Sequence, residues 1–455
     1  MIDNQTKDAI LKIRDQAAKK GIKALFTLHR EKSHLMRIGN NSISLSTSVD
    51  LTRLDVSVID GRKEGSYSAM GNMENEKNVE SVLNMALDKA AFAAPKEYDP
   101  IEKIVEKETV EDFQFDPQLE NIQPENKANV YRDIMSNTGD DYNYSGSWDS
   151  GSTELFIAGT TSPDTAWRKG TDQQFSCVLK HPEHKWELAS YQTGWQNGTV
   201  ETKKTITDFN RVIDIYKQPA HSVKAGEYTI LFGSQAIAVI ISMLLWSGFE
   251  GRKYEDKISW ISDKKIGDKI LSDKLTLSDD PANMNTFRFG FDLNGKARHL
   301  FPIVEEGRLA NILYDIDTAG KYGKKPTAHN ISYSIIMQPG EGPECPLEGV
   351  KNMGKVLFIP ALHYVHIPNA SKGIFTGSSR FSAVLLENGE MVSPIYSSRI
   401  TDSFFNVLGN IELFSSKNVS VNQSSTYDRR MPEAFSVPSY MVCTNVKITD
   451  SADSF

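Results

Sequence analysis

The chain has 455 residues and a formal net charge of −8, from 51 Lys and Arg against 59 Asp and Glu. That length exceeds one compact core and predicts two or three domains. The acidic balance repels a phosphate backbone, and the basic clusters are as short as residues 321–325, so direct nucleic-acid binding is not expected.

The first twenty residues lack the apolar core of a signal peptide, and no apolar run approaches the ~20 residues of a membrane span. The three cysteines, Cys177, Cys345 and Cys443, are far apart and odd in number, with no CxxC pair among them. Together these features predict a cytoplasmic protein with no membrane partner.

Taken in order, residues 4–20 set Ile10, Leu11, Ile13 and Ala17 near one helical face, and Gly21 closes that helix. Residues 24–28, 34–38 and 42–46 are strand-like. Residues 54–59 alternate along one face and turn at Asp60-Gly61 into 66–69, a hairpin signal. A second amphipathic helix is predicted over 76–93, with Val79, Val82, Leu83, Ala86 and Ala90 inward. The expectation is an α+β domain, an antiparallel sheet flanked by helices. Acidic residues and prolines (Pro95, Pro100, Pro117, Pro124) mark 95–126 as an irregular connector. A short helix over 127–135 is followed by strands between 142 and 207, clearest at 154–159, 174–180 and 186–193. This first domain is placed at 1–219 and a second at 220–455.

The second domain opens on an apolar strand, 228–232, a Gly233-Ser234 break, and a run from 235 to 246 that is apolar almost all the way round. A helix with no polar face is a buried helix. Residues 254–279 are polar with scattered apolar positions. Strands are then predicted at 303–304, 309–315, 331–337, 356–360, 381–387 with a turn at Asn388-Gly389, 391–395 and 439–448. One buried helix among many strands predicts a barrel-like or strongly curved sheet.

The motif chemistry is sparse. Two His pairs stand three apart, His181/His184 and His363/His366. In a strand, positions i and i+3 face opposite sides, and zinc needs several ligands converging on one point, so neither pair by itself makes a metal site. There is no phosphate-binding GxxxxGK[ST] loop and no GxSxG elbow; Gly377-Ser378-Ser379 is the nearest approach to the latter. Asp279-Asp280 before Pro281 is first a turn signal and secondly a candidate acid–base pair.

Several blocks of the second half resemble the TldD/PmbA family of bacterial and archaeal peptidases, also called the modulator-of-DNA-gyrase family. Residues 265–281 are similar to its "LG..V.S..LT..DDP" segment. Phe291-Asp-Leu-Asn-Gly295 resembles "FD.EG", with Asn294 where an acid is usual, and the stretch Ile303 to Leu309 resembles "I..G.L". Asn369, Thr376-Gly377 and Leu386-Glu-Asn-Gly389 resemble the "N..TG…IENG" block. In catalytic members of this family the buried helix carries His-Glu-x-x-x-His before Gly-Leu-Glu-Gly, and a late Cys completes a zinc site. With Gly248-Phe-Glu-Gly251 as the anchor, the first His position is Ser242, the Glu is Met243 and the second His is Ser247; the Cys position falls on Ser424. Met cannot accept a proton, and Ser and Met are not ordinary zinc ligands.

The resemblance is to the PmbA (TldE) branch, which also lacks the motif. It implies no catalytic residue and no bound cofactor in this chain, with zinc expected in a catalytic homologue. It further implies pairing through the second half, as a homodimer or with a TldD-type homologue, and an extended or unfolded peptide substrate. Gly248, Gly251, Asn369 and Gly377 are the candidates for shaping a peptide groove. A stand-alone peptidase or other hydrolase, or a regulatory binding module, is the alternative reading.

Overall fold

A computed structural model describes residues 2–139, 141–329, 334–424 and 429–452. It is a mixed α+β structure. Helix α1 (Asn4–Lys19) is capped by Asp3, whose carboxylate accepts the Thr6 N–H at 2.6 Å. Gly21, at φ +72, then turns the chain into strand β1 (Lys23–Gly39). Next come β2 (Ser42–Asp60), β3 (Lys63–Met70), α2 (Glu76–Phe92), β4 (Thr109–Gln114), α3 (Pro117–Glu120) and α4 (Pro124–Thr138). Strands β5 (Asn143–Gly159), β6 (Thr165–Lys180) and β7 (Glu187–Gly194) and helix α5 (Thr202–Tyr216) complete the first half.

Among the described residues the seven strands form one sheet, β3-β2-β1-β5-β6-β4, with β7 also on β6. The separate strands expected at 24–28 and 34–38, and at 42–46 and 54–59, are two long ones. Main-chain pairing carries the ladder through their polar stretches, because β1 is bonded on both sides, to β2 and β5. Helices α1 and α2 cover one face: Ile10, Ile13, Val79 and Leu83 pack with Phe26, Leu28, Leu54 and Val56.

Two expectations fail in this half. Residues 95–126 are not an unpacked connector. Strand β4 joins the sheet parallel to β6, and Val105 and Leu119 are buried. Pro117 and Pro124 open α3 and α4, where the missing N–H costs nothing. The strand-rich stretch expected to reach 207 gives way at Thr202 to α5, which buries Thr205, Phe209, Val212, Ile213 and Tyr216 on one face. Helices α4 and α5 share a core with the second half, where Tyr131 and Phe209 lie in one cluster with Val356, Val384 and Val442.

The second half begins with β8 (Gly226–Gly233) and the buried helix α6 (Ser234–Leu244), which continues into a five-residue π turn, Leu245–Phe249. Strands β9 (Leu277–Asp279), β10 (Phe301–Glu305), β11 (Arg308–Leu309) and β12 (Ile335–Met337) follow. After them come β13 (Lys355–Ile359), β14 (Leu362–Asn369), β15 (Ile374–Ser379), β16 (Val384–Glu387), β17 (Glu390–Pro394) and β18 (Ser398–Ser403). The last four are β19 (Ile411–Phe414), β20 (Asn418–Asn422), β21 (Ala434–Pro438) and β22 (Tyr440–Ser451).

They form two open sheets, β11-β10-β9-β12-β21-β20 and β14-β15-β18-β22-β8-β13-β16-β17 with β19 on β22. Helix α6 lies between them, against β20 and β21 on one side and β8, β14 and β22 on the other. Neither sheet closes into a barrel, and the strands around the buried helix are divided between two sheets instead of one. The strand expected at 309–315 stops at Leu309, because Asp315 caps a helix, Ile316–Tyr322, through the N–H groups of Asp317 and Thr318. Of the strand expected at 331–337, residues 335–337 are β12 and residues 331–333 lie outside the described residues.

Candidate functional site

Helix α6 and the π turn after it hold three of the four positions that the resemblance singles out. Ser242 and Met243 are half-buried near its end. Ser247 lies in the π turn, fully buried, and its Oγ donates to the Met243 carbonyl at 2.7 Å. Single π turns inside helices recur at functional sites, and no periodicity in the sequence announces this one. Gly248 follows because a Cβ there would stand 2.3 Å from Nε1 of Trp260. At Gly251 a Cβ would stand 2.5 Å from the Tyr314 ring, and its N–H donates to the Leu313 carbonyl at 2.7 Å. Close packing thus accounts for both glycines.

Ser424 follows β20, one of the strands α6 packs on. Its N–H donates to Asn422 Oδ1 at 2.7 Å. Its Oγ accepts from the Glu433 N–H at 2.9 Å and donates to the Glu433 carbonyl at 3.3 Å. The hydroxyls of Ser247 and Ser424 are therefore both engaged with main chain. Ser, Met, Ser and Ser do not fit a zinc ion. Among the described residues no group of three or more His, Cys, Asp or Glu is arranged to hold a metal.

The two His pairs are placed apart. His181 and His184 share a turn, with ring centroids 4.6 Å apart, and His181 Nδ1 accepts from the N–H groups of Glu183 and His184. His363 and His366 lie on β14 across a register shift. His363 packs edge-on to Phe381, while His366 Nδ1–H donates to the Tyr364 carbonyl at 2.9 Å.

Asn369 ends β14 and caps the turn Ala370–Lys372 by accepting the Lys372 N–H at 3.1 Å. Gly377 is buried in β15, where a Cβ would stand 2.9 Å from Val365. Strand β14 is the outermost strand of its sheet and alternates between exposed and half-buried residues. Beside it is a cavity of about 420 Å³ lined by His363, Tyr364, Arg380, Phe381 and Arg399 among others. Tyr364 and Phe381 on its wall both adopt left-handed backbone, at φ +50 and +60, a conformation that concentrates at functional sites.

The adjacent carboxylates Asp279 and Asp280 separate. Asp280 caps a turn through the Ala282 N–H. Asp279 is fully buried and bonded to Arg298, to His329 Nδ1 at 2.7 Å and to the Ser334 N–H at 3.1 Å. Burial opposes its charge, but Arg298 and His329 hold its pKa below the ordinary range. Glu433, at the head of β21, faces the same end of that sheet. Burial, reinforced by the Asp279 carboxylate and opposed by Arg298, pushes its pKa up to about 8. Sequence reasoning missed Arg298, His329 and Glu433, which are spread over more than a hundred positions and carry no shared motif.

The fold and this helix–sheet site define the class. Over nearly their whole length the described strands and helices superpose on known structures at identities that speak to fold alone. The structure of TldE from Thermococcus kodakarensis matches with a TM-score of 0.81 at 17% identity, covering 97% of this chain and 100% of that one. A candidate modulator of DNA gyrase from Bacteroides thetaiotaomicron matches at 0.81 and 18%, covering 99% and 100%. One from Thermotoga maritima matches at 0.79 and 16%, covering 98% and 99%. No curated protein matches by sequence. Residues 225–450 match the PmbA/TldA metallopeptidase C-terminal domain. The chain is a member of the TldD/PmbA family. Among the described residues no helix is long and apolar enough to cross a membrane.

Proposed function

We propose that this chain is a non-catalytic, TldE-type member of its family that supports the cleavage of extended peptides by a zinc-bearing homologue. The observation that carries the proposal is the replacement of the family's chemical positions by Ser242, Met243, Ser247 and Ser424, with the last two hydroxyls engaged by main chain. Such a chain holds no zinc of its own and offers no general base at Met243. What it retains is backbone. Among the described residues no strand pairs with the outer edge of β14, and that edge can pair with an extended peptide through main-chain hydrogen bonds, which need none of the lost side chains. A homologue with His-Glu-x-x-x-His supplies the metal and the base, and the two chains form the working dimer.

The test uses both proteins on an unstructured peptide. This chain alone gives negligible cleavage, the mixture gives cleavage, and Ser242→Ala here leaves the mixture's rate unchanged, whereas replacing the homologue's Glu abolishes it. Chelator-sensitive cleavage by this chain alone overturns the proposal in favour of a stand-alone hydrolase. Binding to a folded protein with no effect on peptide cleavage favours a regulatory module.

A further inference from the structure

The cavity at the start of β14 has the chemistry to take one negative charge. Its volume, about 420 Å³, lies within the range of small-ligand sites. Two guanidinium groups line it, those of Arg380 and Arg399. Arg380 is already neutralised, because its Nε donates to Glu187 Oε2 at 2.9 Å. Arg399 is half-buried on β18, and among the described residues no carboxylate pairs with it. Its terminal nitrogen donates to the Thr376 hydroxyl at 3.3 Å. A guanidinium carries five N–H donors in a planar fork that matches a carboxylate, so most of this fork is unfilled.

Arg399 stands directly opposite Ser378 of β15, and Ser378 opposite His363 of β14. Directly opposed residues share a face. These three therefore lie in a row on the face turned away from Phe375 and Ile400, which belong to the core around α6. Other lining is apolar or aromatic. Tyr216, Ala383 and Ile395 are buried there, and the Phe381 ring stands edge-on to His363 with centroids 4.8 Å apart. One unpaired cation among such walls favours a monoanion with an apolar body. A phosphate dianion would keep an uncompensated charge.

The position of β14 indicates which monoanion. The strand begins at Leu362, and His363 and Tyr364 both line the cavity. Its register with β15 shifts between His363 and His366, around Tyr364, which is 72% exposed and in left-handed backbone. Bulges of this kind end regular pairing next to sites. An extended peptide laid antiparallel on the outer edge of β14 runs toward residue 362, so its last residue arrives at the cavity. A parallel peptide would bring its terminal ammonium toward Arg380 and Arg399, and like charges repel.

We infer that this cavity holds the C-terminal residue of the extended peptide, with its α-carboxylate on the Arg399 fork and an aromatic or aliphatic side chain against Phe381, Ala383 and Ile395. This rests on the peptide reading above. It adds the direction of the peptide, antiparallel to β14, and a free carboxylate terminus as the feature that is recognised.

The test is binding of a fluorescently labelled, unstructured peptide ending in Phe to this chain alone, without the homologue. The free acid and its C-terminal amide are each measured on wild type and on Arg399→Gln, which makes a double-mutant cycle. On wild type the amide is expected to bind at least about tenfold more weakly than the acid. On Arg399→Gln the two are expected to bind alike, at the wild-type affinity for the amide, which also shows that the variant is folded. Equal binding of acid and amide by wild type overturns the inference, as does binding of neither. So does an equal loss of both in Arg399→Gln with unchanged circular dichroism. Cleavage by the mixture with the homologue separates this inference from the reading it rests on. If the mixture cleaves acid and amide equally while wild type binds them equally, the peptide reading stands and the C-terminal site does not. An acid–amide contrast in binding with no cleavage by the mixture gives the reverse.

Discussion

Arg430 binds Asp172 across 258 positions of sequence, its Nε and one terminal nitrogen meeting the two carboxylate oxygens at 3.0 and 2.8 Å. Both side chains are almost fully buried, and the other terminal nitrogen of Arg430 pairs with Asp149 at 2.8 Å. Asp149 and Asp172 belong to the first sheet, on β5 and β6, whereas Arg430 precedes β21 of the second half. The Arg430 carbonyl also meets His29 Nε2 at 3.1 Å. This cluster fastens the segment next to Ser424 and Glu433 onto the first sheet.

Arg430→Ala removes one partner and leaves two buried carboxylates uncompensated. The expected cost is about 3–5 kcal/mol, read as a lower midpoint in urea unfolding. Arg430→Lys keeps the charge but loses the planar fork, so it falls between wild type and Arg430→Ala. Equal stability of all three proteins would show that the cluster adds nothing.

Glu433 makes stability depend on pH. Its folded-state pKa is about 8, above the ordinary 4.5, so the folded chain holds this proton more tightly than the unfolded one. Its contribution is complete below about pH 4.5 and fades as pH rises through 8. Glu433→Gln cannot ionise, so its melting temperature relative to wild type should rise between pH 5 and pH 9. A constant difference over that range would refute the shift.

The packing at Gly248 predicts that Gly248→Ala destabilises the second half. The added methyl meets Trp260 at 2.3 Å, and overpacking of this kind costs about 1–3 kcal/mol. Ser242→Ala, on the same helix but half-buried, should change stability by less than about 1 kcal/mol. Denaturant titrations of the two variants side by side check the contrast.

Thiol reactivity should count one cysteine. Cys345 is exposed, whereas Cys177 and Cys443 are buried. Burial pushes the Cys177 thiol up to about 12 and raises Cys443 as well. A thiol reagent should label one site per native chain at neutral pH and three after unfolding.

The elements read well from sequence are those with a strong local period. The amphipathic positions of α1 and α2, the apolar run of α6, and the Asn388-Gly389 turn, whose residues take φ +50 and +83, are each determined by neighbours a few positions away. Strands such as β18, Ser398–Ser403, were not legible. Short polar strands bonded on both sides draw their stability from the ladder, and no hydrophobic alternation marks them. Helix α5 was hidden by its Thr and Lys content, although its inward face is regular.

From the sequence alone came the family resemblance and the expectation that Ser242, Met243, Ser247 and Ser424 stand at the family's metal-ligand and base positions, because residue identity is a local fact. Only the tertiary structure decided what lies around them. Asp279, Arg298, His329 and Glu433 meet at one end of a sheet because β9, β12 and β21 are neighbours there, and Arg430 reaches Asp172 because the two halves share a core. Contacts between residues hundreds of positions apart follow from strand order and register, and strand order is set by packing the whole chain, which no local pattern encodes.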